Sequence, residues 1–376
     1  MKLLCDAIAF CYGPATALKI ILSIWKEHFE HITLVATGTT KEYFLRNNLV
    51  ANIITLDTEN PEELNSFDAS TYDIYLCVCN PVGYLHLSKK VKKTIYLDFL
   101  FWMRTEENAP EFRATQFIAE RYPNHDQSVS RFASNIPNFV SIPALIKKSS
   151  NSRQPQSNLV ILNLGGQRSH LTRPGFNTKY PWLMVECFQS AVDKVGFKGD
   201  FIVTSDSQTS SELAVSLSKP QWSFLSLEHD EFLDKLAIAD LVITHPGLYS
   251  PFESIAMQCP TFFLPSSNYT QILQLQNFRN INMAPWSVDW EDVGCGTVGK
   301  GLAEEEGVKK VLKLIDKGNN SSCIRSKLIN IFSTWISLPK SDIKKGAITQ
   351  QNAAAPYLGN YKSTLNSVLK NLLYVS

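Results

Sequence analysis

Short apolar runs bounded by polar turns recur along the first half of the chain, with segments of helical composition between them. Leu3–Phe10 reads as a buried strand ending at Cys11-Tyr12-Gly13-Pro14, and Ala15–His28 has helical composition. His31–Ala36 is a second strand, followed by Gly38-Thr39-Thr40 and a helix near Lys41–Asn47. Further strands are expected at Asn52–Leu56, at Tyr72–Cys79 and, after the basic turn Lys89–Lys93, at Thr94–Leu100. Short strands that are apolar throughout and separated by helices pair in parallel, with helices covering both faces. The pattern predicts a doubly wound α/β domain over 1–150.

The alternation then breaks. Lys147–Ser157 runs for eleven residues without an apolar side chain and contains Pro155, the composition of a flexible linker. Beyond it, strands are expected at Asn158–Leu164, Asp200–Ser205, Trp222–Leu227, Asp240–Thr244 and Thr261–Leu264. Helices are expected at Tyr180–Val195, Ser210–Leu217, Asp230–Ala239 and Pro251–Gln258. These make a second α/β domain over 151–345. Gly346–Gly359 reads as unstructured, and Tyr361–Tyr374 as a helix. Two doubly wound domains in tandem imply a cleft between the carboxyl ends of two sheets, where ligands of such sheets bind.

Composition narrows the classes. A length of 376 residues suits two domains at about 100–200 residues each. With 44% hydrophobic and 19% charged residues, whole-chain disorder is excluded. Lys and Arg number 36 against 35 Asp and Glu, a balance that argues against a dedicated nucleic-acid binder. Asp6 interrupts what would be the apolar core of a signal peptide, so no secretory leader is expected. No stretch approaches the roughly 20 apolar residues of a membrane helix. The eight cysteines are scattered, and Cys77-x-Cys79 has neither CxxC spacing nor a second ligand pair. Reduced thiols in a cytoplasmic protein without structural zinc are expected.

The chemistry concentrates in 239–271. A strand delivers the chain to His245-Pro246-Gly247, and a helix begins near Ser250-Pro251. The unpaired amides and dipole of a helix N-terminus suit an anion such as phosphate, and Gly247 permits close approach to the backbone. A plainer reading is a capping box, with Ser250 as N-cap, Pro251 at the first helical position and Glu253 at the third.

The segment as a whole resembles the donor-binding region of the nucleotide-sugar glycosyltransferases of GT-B fold. The likeness is to UDP-glycosyltransferases and the N-acetylglucosaminyltransferase of cell-wall synthesis. Their shared pattern, H-x-G-x-x-S/T-x-x-E followed by two prolines, is met by His245, Gly247, Ser250, Glu253, Pro260 and Pro265. The resemblance implies two Rossmann-like domains facing across a cleft, with acceptor bound by the first and donor by the second. It gives Glu253 the donor ribose hydroxyls, and His245, Gly247 and Ser250 the diphosphate. Tyr249 stands where plant-type members carry Asn, and Thr270-Gln271 replaces an acidic residue and Gln that grip the donor sugar. Gln271 is the remaining candidate for that grip, or a surface residue. Gly165-Gly166-Gln167-Arg168 occupies a turn that faces the diphosphate in the family. Arg168 would then neutralise the leaving group, with His170 and Arg173 in the same loop. A tight turn carrying a solvated Arg is the alternative.

In the first domain, the turn at Gly13 matches the place of the family's glycine-rich turn. The catalytic His often found there is missing, and Pro14 follows Gly13. Asp98, at the end of a strand and among aromatics, is the leading replacement base, and His86 the second. The alternative for Asp98 is a loop-anchoring or capping carboxylate. Phe99, Phe101 and Trp102 are expected to line an acceptor pocket or to be core, and Arg104 and Arg113 to meet a charged acceptor or solvent. The family habit implies that a C-terminal segment, 346–376, packs back on the first domain.

The expectation is a metal-independent enzyme that moves a sugar from a nucleotide-diphosphate donor to a hydroxyl or amine of a small-molecule acceptor. A UDP- or dTDP-sugar would be co-substrate, with no cofactor; no Asp-x-Asp triplet occurs for a metal-bridged diphosphate. Neither nucleic acid nor a membrane segment enters, and the oligomeric state stays open. Two rivals remain: a nucleotide-sugar hydrolase or 2-epimerase, and a non-catalytic sugar-nucleotide-binding partner or activator subunit.

Overall fold

Apolar residues on both faces of short strands build two separate parallel sheets in the computed structural model, which describes residues 1–106, 113–167 and 179–374. Two compact units result: 1–145 with 357–374, and 146–167 with 179–356.

The first unit runs β1 (Lys2–Ala7), α1 (Gly13–Trp25), β2 (His31–Ala36), α2 (Gly38–Asn47), β3 (Asn52–Thr55) and α3 (Pro61–Ser66). It continues through β4 (Ile74–Val78), α4 (Pro81–Leu87), β5 (Lys93–Asp98), β6 (Gln116–Glu120), α5 (His125–Phe132) and β7 (Phe139–Ile142). Its seven strands are ordered β3-β2-β1-β4-β5-β6-β7. Two of them, β6 and β7, go beyond the five strands of the sequence pattern. β6 begins and ends on polar side chains, and three of the four residues of β7 are half-buried, so neither stands out as an apolar run. On one face, the rings of Tyr75, Tyr84, Tyr96 and Phe117 follow one another at centroid separations of 6.2, 5.2 and 5.5 Å.

The second unit runs β8 (Leu159–Asn163), α6 (Lys179–Val195), β9 (Asp200–Thr204), α7 (Ser207–Leu217), β10 (Trp222–Leu225) and α8 (His229–Ile238). Then come β11 (Leu241–Thr244), α9 (Tyr249–Ala256), β12 (Thr261–Phe263), α10 (Tyr269–Asn280), α11 (Glu304–Asn320), α12 (Ser322–Ile336) and α13 (Lys340–Ala354). The sheet order is β10-β9-β8-β11-β12. Period-two alternation splits β8 between two cores. Val160 and Leu162 join the side chains of α6, α11 and α12, whereas Leu159 and Ile161 join Phe232, Leu233 and Leu236 of α8.

Two segments depart from the sequence reading. The polar run 147–157 is strapped along α8: Ser149 and Asn151 donate to Asp234, and Arg153 donates to the carbonyls of Leu236 and Asp240. Its polarity serves the end of a helix. The stretch read as unstructured from Gly346 is mostly helical, in α13. A Cβ on Gly346 would meet the Trp286 ring at 2.2 Å, so only glycine lets this helix approach the indole. Gln350 then completes the edge of the sheet, its amide accepting from Thr261 N at 3.1 Å and donating to Thr261 O at 2.6 Å. The last helix, α14 (Tyr361–Tyr374), belongs to the first unit and packs on α1 and β7.

Candidate functional site

Where the strand order of a doubly wound sheet reverses, the flanking loops part and leave a crevice at the carboxyl edge. In the second sheet this point lies between β8 and β11. The loops that open there carry Gly165-Gly166-Gln167 and His245-Pro246-Gly247.

A buried polar rung braces this edge from beneath. Each strand ends its apolar run on a polar side chain: Asn163 on β8, Thr204 on β9 and Thr244 on β11. Asn163 Oδ1 accepts from Thr204 Oγ1 at 2.9 Å and from Gly165 N at 3.2 Å, while its Nδ2 donates to Thr244 Oγ1 at 3.2 Å. The rung fixes the first peptide of the glycine turn. It was not among the sequence candidates, although a polar residue closing three apolar strands in succession is a signal that points to it. Gly166 follows with φ +73°, a left-handed conformation that favours glycine.

His245 ties three loops together. One ring nitrogen, Nε2, bonds Gly165 O, and the other, Nδ1, lies 2.9 Å from Gln271 Nε2. The orientation of the Gln271 amide follows from its far side, where Oε1 accepts from Ser267 N at 2.7 Å and Ser267 Oγ at 2.9 Å. Its nitrogen therefore donates to His245 Nδ1, and the imidazole carries its proton on Nε2. Burial pushes the His245 pKa below its ordinary value, against the smaller upward pull of the Gly165 carbonyl. A neutral ring with both nitrogens engaged supplies position and no positive charge. In this structure its two bonds go to the Gly165 carbonyl and the Gln271 amide. Gln271 is buried and bonded to Ser267 and His245, so it is not a surface residue.

α9 begins one residue after Leu248, its N-cap, and no side chain caps it. The capping-box reading fails, because Ser250 and Pro251 lie inside the first turn. The Ser250 carbonyl accepts from Ser254 Oγ at 2.7 Å, and its side chain is half-buried. Gly247 N donates to His245 O at 2.9 Å. A Cβ on Gly247 would meet nothing closer than 3.8 Å, so packing within this unit does not require glycine there. Glu253 is 1% exposed, and its Oε1 lies 2.6 Å from Nε2 of His229, the first residue of α8. The sequence reading missed His229, which stands 24 residues from its partner with no spacing to announce it. Arg168, His170 and Arg173 lie outside the described residues.

The first unit holds its carboxylates differently. Asp98 closes β5, fully buried. Its Oδ2 takes both Nε and Nη2 of Arg104 at 2.8 Å, and Oδ1 takes Leu100 N at 2.8 Å. A carboxylate so committed anchors the loop that follows it, the alternative to a base in the sequence reading. Arg104 is thereby a structural partner, whereas Arg113 is exposed. Phe99 and Trp102 are 5% and 4% exposed, side chains of the interior and not of an open pocket. Phe101 packs against Phe117 and Phe139. His86 lies in the last turn of α4, which runs back toward the amino edge, and bonds Asn65 Oδ1 at 2.9 Å. It is not at the carboxyl edge where a base is needed.

Gly13 opens α1 after a turn in which Cys11 has φ 55°. It sits at the reversal point of the first sheet, between β1 and β4. Below that point, Asp6 is fully buried, accepting from Tyr75 OH at 2.8 Å and Asn80 Nδ2 at 2.7 Å. Burial raises its pKa to about 7, although hydrogen bonds from Tyr75, Cys77 and Asn80 pull the other way. Among the described residues, no cluster of three His, Cys, Asp or Glu side chains is arranged to hold a metal ion, and no helix is long and apolar enough to cross a membrane.

No protein-family model matches the sequence, and no curated protein is significantly similar to it. Solved structures are similar across its length. MurG of Acinetobacter baumannii matches with TM-score 0.56 at 12% identity, over 98% of this chain and 99% of that one. Spinosyn rhamnosyltransferase SpnG matches with TM-score 0.59 at 11% identity, over 99% and 100%. Arabidopsis thaliana UGT89C1, complexed with UDP, matches with TM-score 0.57 at 10% identity, over 99% of each chain. At such identities the likeness speaks for architecture, and with the two parallel sheets it establishes that this chain has the GT-B fold of the nucleotide-sugar glycosyltransferases.

Proposed function

We propose that the chain binds a nucleoside-diphosphate sugar on its second unit and transfers the sugar to a hydroxyl or amine of a small molecule. The observation that carries this reading is Glu253, a buried carboxylate free of any capping role, on the helix that follows the His245-x-Gly247 turn at the reversal point. Glu253 would accept from the ribose hydroxyls. The backbone of Gly165-Gly166 and Gly247, with Ser250 in the first turn of α9, would meet the diphosphate. Amide dipoles fixed in advance at a helix start stabilise charge without reorganising, so the transfer needs no metal. The acceptor oxygen or nitrogen attacks the anomeric carbon and gives up its proton to solvent, the bond to the diphosphate breaks, and the departing phosphate keeps the electron pair. Gly13 would lie on the acceptor side. UGT89C1 is complexed with UDP, which favours a UDP-sugar over a dTDP-sugar, whose deoxyribose offers Glu253 one hydroxyl fewer.

A second reading, a sugar-nucleotide-binding protein without turnover, is favoured by the ion pair that occupies Asp98. Thermal-shift titration with UDP, dTDP, GDP, ADP and CMP tests the donor half. One nucleoside diphosphate is expected to raise Tm by several degrees in the wild type and not in Glu253→Ala. Absence of any shift removes the donor site. Binding without sugar release or transfer across an acceptor panel leaves the second reading.

A further inference from the structure

We propose that His229 is a positioning residue that holds one oxygen of Glu253 so that the other reads the 2′-hydroxyl of the donor ribose. The inference rests on the nucleotide-binding reading and adds a residue from a different loop. Glu253 belongs to α9, after β11, while His229 opens α8, after the edge strand β10. The two helices start at the carboxyl edge on strands that are not neighbours. Yet His229 Nε2 reaches Glu253 Oε1 at 2.6 Å, with His229 11% and Glu253 1% exposed.

The helix that carries His229 does not need its ring. The start of α8 is closed by Glu228 and Glu231, each side chain accepting from the backbone of the other residue. The imidazole is turned instead to Glu253. The last side-chain torsion of a glutamate is broad and roughly two-fold, so an unanchored carboxylate rotates freely about it. A donor fixed on Oε1 removes that freedom and leaves Oε2 as the oxygen with lone pairs to offer. A ribose supplies two adjacent hydroxyl donors, and a 2′-deoxyribose supplies one fewer.

The test compares UDP with 2′-deoxy-UDP by calorimetry on the full chain. The variants are His229→Phe, which keeps a ring and loses the donor, and His229→Gln, which keeps a donor at similar reach. The wild type is expected to prefer UDP. In His229→Phe, UDP binding weakens by about tenfold and the preference over 2′-deoxy-UDP largely disappears, the size expected for one hydrogen bond to a charged group. His229→Gln retains the preference. A His229→Phe variant of wild-type Tm that keeps the full preference overturns the assignment, as does a wild type that binds both nucleotides equally. A wild type that binds neither, nor any other nucleoside diphosphate, refutes the donor reading itself, a result distinct from both.

Discussion

At the reversal point of the first sheet, between β1 and β4, Asp6 is sealed beneath α4; at that of the second, between β8 and β11, His245 braces a glycine turn that is partly exposed. The polar groups of the first edge satisfy one another inside it. Asp6 takes Tyr75 and Asn80, Asp98 takes Arg104, and Glu120 takes Tyr122 OH and Leu145 N. In the second unit the buried groups Asn163, His245 and Gln271 act on backbone, holding Gly165 and Ser267 in place. A buried polar group with a full set of partners stabilises and is unavailable for chemistry, whereas one that aims a turn leaves the turn to act. The first edge is a lock and the second a braced platform.

The widest gap is expected between two carboxylate variants. Asp98→Ala removes the buried carboxylate that takes Arg104 and the Leu100 amide, and should cost about 3 kcal/mol of stability by denaturant melts, with UDP affinity unaltered. Glu253→Ala should weaken UDP binding by about 100-fold in calorimetry. An Asp98 variant of normal stability that has lost transfer would return that residue to catalysis and dissolve the contrast.

Two glycines sharpen it next. A Cβ on Gly83 would meet Asp6 Oδ2 at 2.6 Å and Asn80 Nδ2 at 2.7 Å, so Gly83→Ala should lift α4 from the carboxylate and cost about 2 kcal/mol. Gly247→Ala, with no neighbour within 3.8 Å, should change stability by less than about 0.5 kcal/mol while weakening UDP. Equal losses of Tm in both would refute the distinction.

The third expectation concerns pH. Burial raises Asp6 from 3.8 to about 7, so the folded chain binds a proton that the unfolded chain has released. The stabilisation is complete below the unfolded value and is lost as pH rises toward 7, with a slope of up to about 1.4 kcal/mol per pH unit. Asp6→Asn should flatten that slope. Asp289 in the second unit, raised to about 6 by burial, adds in the same direction, and His125, lowered to about 4 by burial, opposes it. The difference between wild type and Asp6→Asn isolates the first. Parallel stability–pH curves for the two proteins would rule the effect out.

The smallest expected signal is a displaced titration. With Nε2 protonated and Nδ1 accepting from Gln271, the His245 ring resonances should titrate below the range of an ordinary imidazole. An ordinary imidazole titration would restore a charged role at the diphosphate.

Much of the framework is legible in the sequence. Strands buried on both faces, as in β1, β4, β8 and β11, are continuous apolar runs, and those runs are what the eye finds. β6 and α13 are hidden because Gln116, Glu120 and Gln350 place polar atoms where a tertiary neighbour satisfies them, and β7 because three of its four residues are only half-buried. The His245, Gly247 and Glu253 spacing is visible because one turn and one helix contain it. The rung from Thr204 through Asn163 to Thr244 and the pair of His229 with Glu253 are not, since their partners stand 41, 81 and 24 residues apart.

Local periodicity and turn chemistry in the sequence by themselves determined two successive α/β units and the segment that carries the candidate donor site. Which polar side chains are spent was decided only by the tertiary structure. Asp98 and Glu253 look alike along the chain, each a carboxylate in an apolar, aromatic setting. Arg104 saturates one, and His229 holds a single oxygen of the other. Whether a buried group is an anchor or a tool depends on the number and direction of its partners, and those arrive from segments that only folding brings together.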